Sequence, residues 1–184
     1  MMLERIRREH GYMIRLLAIL KNKLNLLKQE ESVNYALIKE IVDYLTNHSE
    51  RVHHPKEDII YQYFLDKYGH QHQIENLEQE HVELSKSTHD FLNTVDMILQ
   101  DAIVPQSVFI EQLEEFIASQ KRHLELEEHS VLPLIANTFT TEDWQAVEQK
   151  WSVNEDDPVF GDTIAEQYQQ LAQRVRQTDA ESSR

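Results

Sequence analysis

The chain reads as an all-α protein: an up-down-up-down four-helix bundle over residues 1–137, with a C-terminal helical extension over 138–184 packed against it. Three observations predict this. Only three Gly and four Pro occur in 184 residues, too little turn chemistry for an all-β or α/β plan. Apolar residues recur at steps of three and four over long stretches. The chain is long enough to bury one substantial core.

The first helix is expected over about Leu3 to Lys28, where Ile6, His10, Met13, Leu17, Leu20, Leu24 and Leu27 form a heptad-like seam. The polar stretch from Glu30 to Asn34 interrupts it, and Ser32 or Asn34 can cap the next helix. That helix runs from about Asn34 to Tyr68. Pro55 removes one of its backbone hydrogen bonds and should bend or split it near Arg51. Gly69 ends it.

The third helix, about His70 to Leu99, has the cleanest period: Ile74, Leu77, His81, Leu84, Thr88, Phe91, Val95 and Ile98. The fourth is expected over about Pro105 to Asn137, with Pro105 in its first turn and Pro133 in its last turns. Beyond Thr138, Thr141-Glu142-Asp143 should cap a short helix carrying Trp144, Val147 and Trp151, whose indoles read as packing against the bundle. Asn154 to Pro158 reads as a loop, Ile164, Tyr168, Leu171 and Val175 as an amphipathic helix, and Thr178 to Arg184 as a frayed end.

The chemistry lies in polar residues placed on apolar stripes. In the fourth helix Phe109, Leu113, Phe116, Gln120, His123, Glu127, Val131 and Leu134 share a face, so His123 and Glu127 point into the core, one turn apart. His53 and Glu57 repeat that spacing in the second helix, while His10 and His81 sit on the seams of the first and third. Buried unpaired carboxylates and imidazoles cost several kcal/mol, roughly, unless hydrogen-bonded, ion-paired or metal-bound. In an up-down-up-down bundle His10, Glu57, His81 and Glu127 fall at one level, roughly 12 to 17 Å from one end, with His53 and His123 one turn deeper.

Three or more imidazoles and two carboxylates at one level describe a dinuclear site, since a single zinc needs only three or four ligands. With no Cys in the chain, thiolate ligands, cysteine nucleophiles and disulfides are excluded. Imidazole and carboxylate suit iron, manganese or zinc. His54, beside Pro55, is either a further ligand or a partly exposed neighbour. Asp58 and Glu128 lie one residue past the inward carboxylates, as outer partners or solvated groups. His48, His70, His72, His89 and His129 fall off the stripes and should be exposed. Tyr12, Tyr44 and Tyr61 read as packing residues, with the option that a hydroxyl near a metal gates protons. Ile14, Leu84, Phe116 and Leu124 are candidates to line a dry pocket beside the site.

The formal charge of −15 argues against a nucleic-acid partner. No apolar run approaches the roughly 18 to 20 residues of a membrane span, and Met1 to Arg8 carries no signal-peptide apolar region. The expectation is a soluble cytoplasmic protein.

Taken in order, His10, His53-x-x-x-Glu57, Glu80-His81 and His123-x-x-x-Glu127 followed by Val131-Leu132-Pro133 resemble the hemerythrin-like (HHE cation-binding) family, in its bacterial and sensor-type branch. The resemblance covers about Leu3 to Asn137. It implies two iron ions with a bridging oxo or hydroxo group, with Glu57 and Glu127 as bridging carboxylates and His10, His53, His81 and His123 as terminal imidazoles. It implies dioxygen, nitric oxide or peroxide as the small ligand. The partner protein is unspecified, and a homodimer is compatible with the sequence. Oxygen-carrying members have a second His one turn after the first in the third helix. Here Ser85 stands there and Leu77 one turn before, and His54 can make up the difference. Two functions are compatible with the resemblance: binding of dioxygen or a related molecule for storage, delivery or sensing, or a redox activity on peroxide or nitric oxide, with iron donation for cluster repair as a variant.

Overall fold

The computed structural model describes residues 2–151, 157–161 and 164–182, with side chains as far as 177. Among them every regular element is helical, with no strand. Asn154 to Asp156, and with them most of the expected loop, lie outside the described residues.

Helix α1 spans Met2–Lys28, and its Leu-rich face is buried along α5, Gln106–Leu126. The second helical stretch is continuous in sequence but changes register. α2 covers Tyr35–Asp43, a π-helical segment Tyr44–His53, and α3 His54–Tyr68. The side chain of Asn34 caps α2 by accepting from the Leu37 N–H at 3.2 Å. The expected bend near Arg51 takes the form of this widened segment. Pro55 cannot donate to the helical ladder and its ring crowds the carbonyl four residues back. Closing the segment with the His54 N–H on the Ser49 carbonyl, five residues back, absorbs the extra turn width. The same device recurs before Pro133. Glu127–Val131 is π-helical, the Leu132 N–H reaches the Glu127 carbonyl, and α6 continues over Leu132–Thr138.

Helix α4, His72–Leu99, packs on α2, α3 and α5. α1 and α4 end alike. Glu31 and Ala102 N–H groups reach back to Leu26 and Met97 carbonyls, which forces Glu30 and Asp101 to φ of 61° and 62°. After α3 the same left-handed region is taken by Gly69, φ 88°, where no Cβ opposes it.

α7, Thr141–Lys150, is capped by Thr140, one residue earlier than expected. Thr140 accepts the Asp143 N–H at 3.2 Å while the Asp143 carboxylate accepts the Thr140 N–H at 2.9 Å. The reciprocal pair needs its acid three residues past the cap, and counting back from Asp143 gives Thr140. A 3-10 turn, Glu166–Tyr168, leads into α8, Gln169–Ser182, which continues through much of the stretch expected to fray.

The core divides in two. One cluster joins Met2, Leu3 and Ile6 of α1 with Ile60 and Phe64 of α3, Leu77 of α4, Ile135 of α6 and Val147 of α7, with Trp144 and Trp151 packed against it. The other runs from Met13 to Leu27 with α2, the later part of α4 and the earlier part of α5, and is covered by Tyr168, Leu171 and Val175. His10, His53, Glu57, His81 and Glu127 occupy sequence positions between the two clusters, and His123 sits at the edge of the second, beside Leu124. No described helix is long and apolar enough to cross a membrane.

Candidate metal centre

The two π-helical stretches flank the carboxylates. His53 ends the first and Glu57 follows one turn into α3; His123 lies in the last turn of α5 and Glu127 begins the second. Both carboxylates are completely buried, and His10, His53, His81 and His123 almost so. Each imidazole turns one nitrogen inward. His10 Nε2 lies 3.0 Å from Glu57 Oε2 and 3.4 Å from Glu127 Oε2. His53 Nε2 lies 3.1 Å from Glu57 Oε1. His81 Nε2 is 3.2 Å from Glu127 Oε1 and 3.6 Å from Glu57 Oε1, and His123 Nε2 touches Glu127 Oε1.

The outer nitrogens are held as regularly. His10 Nδ1 donates to Glu128 at 2.6 Å, His53 Nδ1 to Glu9 at 2.6 Å and His81 Nδ1 to Asp58 at 2.8 Å; His123 Nδ1 sits 3.4 Å from Glu80. Every acid comes from a different helical stretch than the histidine it holds: α1 serves the second stretch, the second serves α4, α4 serves α5, and the turn after α5 serves α1. Such outer carboxylates fix which nitrogen is free to bind a metal and make it more basic.

Three groupings bring one potential ligand atom from each member within 4.8 Å of the others: His54 with His81 and His123, His10 with His53 and Glu57, and Glu57 with His81 and Glu127. His54 is therefore drawn in. Its ring stacks on His81 at 4.2 Å between centroids, inclined by 13°. Ser85 is turned elsewhere, its hydroxyl donating to Glu50.

Burial alone would depress the pKa of His10, His53, His81 and His123, but the facing carboxylates overcome it and lift all four, His81 to about 10. Burial would likewise raise Glu127, yet Glu57, His123 and His10 hold it well below the usual carboxylate range. His54 goes the other way. Burial and its imidazole neighbours push it well below the ordinary value, so it stands as a neutral base. The donor set fits a metal on a further count. Glu57 Oε1 and His123 Nε2 are buried and, although His53 and Glu127 crowd them, neither makes a hydrogen bond of proper geometry, the condition that a bound cation would relieve.

Several expectations need correction. His48 is largely buried, its ring stacked on Tyr44 and 3.5 Å from Asp157, because the π segment rotates it inward. The other four off-stripe histidines are exposed. Ile14, Leu84, Phe116 and Leu124 do not line one pocket. Leu84 borders a cleft of about 520 Å³ between α4 and α5 that reaches His123. Ile14, 52% exposed, and Leu124 border a separate groove of about 500 Å³ between α1 and α5. Phe116 borders neither, being turned into the core. Tyr61 is more than packing: its hydroxyl donates to Glu127 Oε2 at 2.9 Å. Tyr12 stacks on Phe160.

Sequence reasoning missed Glu9, Glu80 and Lys56. Glu9 and Glu80 each precede a histidine and were visible as Glu-His pairs, but nothing in the spacing says that each serves the next helix. Lys56 is fully buried, paired with Glu9 and facing the Trp151 ring at 5.7 Å. Against the effect of burial, His53 and then Lys56 hold the Glu9 carboxyl down at about 2, and Arg5 lies 3.2 Å from the same oxygen that Lys56 contacts.

A family model described as the hemerythrin HHE cation binding domain matches residues 1–135. No curated protein and no solved structure matches the chain.

Proposed function

The chain belongs to the hemerythrin HHE cation-binding domain family, and from that premise we propose a non-haem di-iron protein that binds dioxygen or a related small molecule for storage, delivery or sensing. The scaffold in this reading is an up-down-up-down four-helix bundle over 1–137, with 138–184 as an extension packed on it. Glu57 and Glu127 bridge two irons joined by an oxo or hydroxo group. His54, His81 and His123 serve one iron, His10 and His53 the other. The observation that carries the reading is the convergence of five imidazoles and two carboxylates in one buried layer, where an oxygen of Glu57 and a nitrogen of His123 are crowded yet make no hydrogen bond.

Bound there, the iron pair would supply electrons and open coordination positions to a small ligand. The protein's own residues do the rest. The four outer carboxylates orient the imidazoles, the two apolar clusters limit water, and the α4–α5 cleft gives a ligand a way to His123. A second reading, a redox enzyme acting on peroxide or nitric oxide, is favoured by one feature. The Tyr61 hydroxyl, buried and kept protonated by burial and by Glu127 and Glu57, holds a proton at the site.

The test is metal content of freshly purified protein, with optical spectra of the reduced form before and after oxygen is admitted. About two irons per chain and a new visible charge-transfer band are expected. A colourless, metal-free protein overturns both readings. Reversible oxygen binding without turnover supports the first, and rapid consumption of peroxide or nitric oxide the second.

A further inference from the structure

His54 reaches the cluster together with His53, its neighbour in sequence. In a helix consecutive residues point roughly 100° apart, so both rings face the core only in a register that sets the core direction between them. The π segment Tyr44–His53 sets that register, yet long π runs are rare and need support from outside their own ladder. Pro55 explains why the register changes but not what holds ten residues in it.

Support comes from α4. Glu50, in the middle of the π segment, receives two hydrogen bonds from consecutive turns of α4: the Ser85 hydroxyl donates to its Oε1, and His89 Nε2 donates to its Oε2 at 3.0 Å. His81, on which His54 stacks, lies one turn before Ser85 on the same helix, so one face of α4 carries both the clamp and the surface against which His54 rests.

We propose that Ser85, His89 and Glu50 form a positioning clamp that holds the π segment in register and thereby delivers His54 to the cluster. Resting on the reading of the cluster as a metal centre, the proposal gives Ser85 a role that a histidine at that position would fill directly. The third imidazole comes from the neighbouring helix, and position 85 secures it instead of supplying it.

The experiment has two arms on the full chain, using wild type, Glu50→Ala, Glu50→Gln, Ser85→Ala, His54→Ala and the Glu50→Ala/His54→Ala double variant, each first shown to keep its helical circular dichroism. In the metal-free arm, the rate of His54 modification by diethyl pyrocarbonate is read by peptide mass mapping. Several-fold acceleration in Glu50→Ala and Ser85→Ala, reversed towards wild type in Glu50→Gln, is expected. An unchanged rate overturns the clamp whether or not the protein takes up metal.

In the loaded arm, the affinity for Fe(II) is measured. Glu50→Ala and His54→Ala should each weaken the tighter-held ion by roughly 10- to 100-fold, with the double variant no worse than His54→Ala alone. Losses that multiply overturn the clamp. A wild-type protein that takes up no iron overturns the functional reading instead, and the first arm tells the two failures apart.

Discussion

Asp143 and Glu127 are both carboxylates without exposed surface, yet their surroundings are opposite. Asp143 is saturated. Tyr63 donates to it at 2.8 Å, Lys67 and Tyr68 donate as well, and the Thr140 N–H completes the set. These donors outweigh burial and hold its carboxyl well below the usual range. Glu127 meets one hydroxyl and several imidazoles that compete for two oxygens, beside a neighbour, Glu57, one of whose oxygens makes no hydrogen bond. A buried acid whose donors are complete fastens α7 to α3. A buried acid crowded by imidazoles that it shares with a second acid is arranged for something else. The difference separates a structural carboxylate from a candidate ligand without appeal to position in the sequence.

The sharpest way to break this contrast is to remove one acid at a time. Glu127→Ala should abolish binding of at least one metal, exceeding the roughly 10- to 100-fold penalty for losing an outer partner, with helical content retained. Elemental analysis after dialysis checks it, and full metal content in the variant would make Glu127 another Asp143. Asp143→Asn is expected to do the reverse: unchanged metal content, with a stability loss of about 1–3 kcal/mol in urea unfolding as donors lose their charged acceptor.

Acidity sharpens the comparison further. In metal-free protein His81 is raised from about 6.5 to about 10, mainly by Asp58 and Glu127 acting against burial. A raised pKa stabilises the fold fully below the unfolded value, and the gain is lost as pH rises through the folded one. Metal-free stability should therefore decline between about pH 6.5 and 10, by on the order of a few kcal/mol, and His81→Gln should flatten that decline. Metal uptake near neutrality should release protons, because ligation needs the imidazoles neutral. Asp143 has the opposite sign, its contribution fading only as pH falls below the carboxylate range. The smallest effect lies away from both acids. Asp101→Gly relieves a left-handed residue at the end of α4 and should raise stability by up to about 1 kcal/mol without touching metal content.

The long helices and the inward histidines and glutamates were legible because the three-four period places them on apolar stripes, as with His81 between Leu77 and Leu84. The shared layer was expected from helix lengths taken together with an up-down-up-down order. What could not be read was register. Pro55 and Pro133 announce disturbances, but the resulting π turns, which bury His48 and turn His54 inward, depend on whether a neighbouring helix offers a hold such as Ser85. The buried Lys56 was equally hidden, since its role arises from Glu9 and Trp151, far off in sequence.

The outer carboxylates run in one direction around the layer, from Glu9 to His53, Asp58 to His81, Glu80 to His123 and Glu128 to His10. The chain of links closes on itself. Sliding any one helix by a turn, about 5.4 Å, would break both the link it gives and the link it receives. No member can slip alone. The circuit fixes axial register where greasy seams, tolerant of small shifts, do not. The amides flanking the layer should accordingly become exchangeable together in one opening event, while the helix ends fray independently.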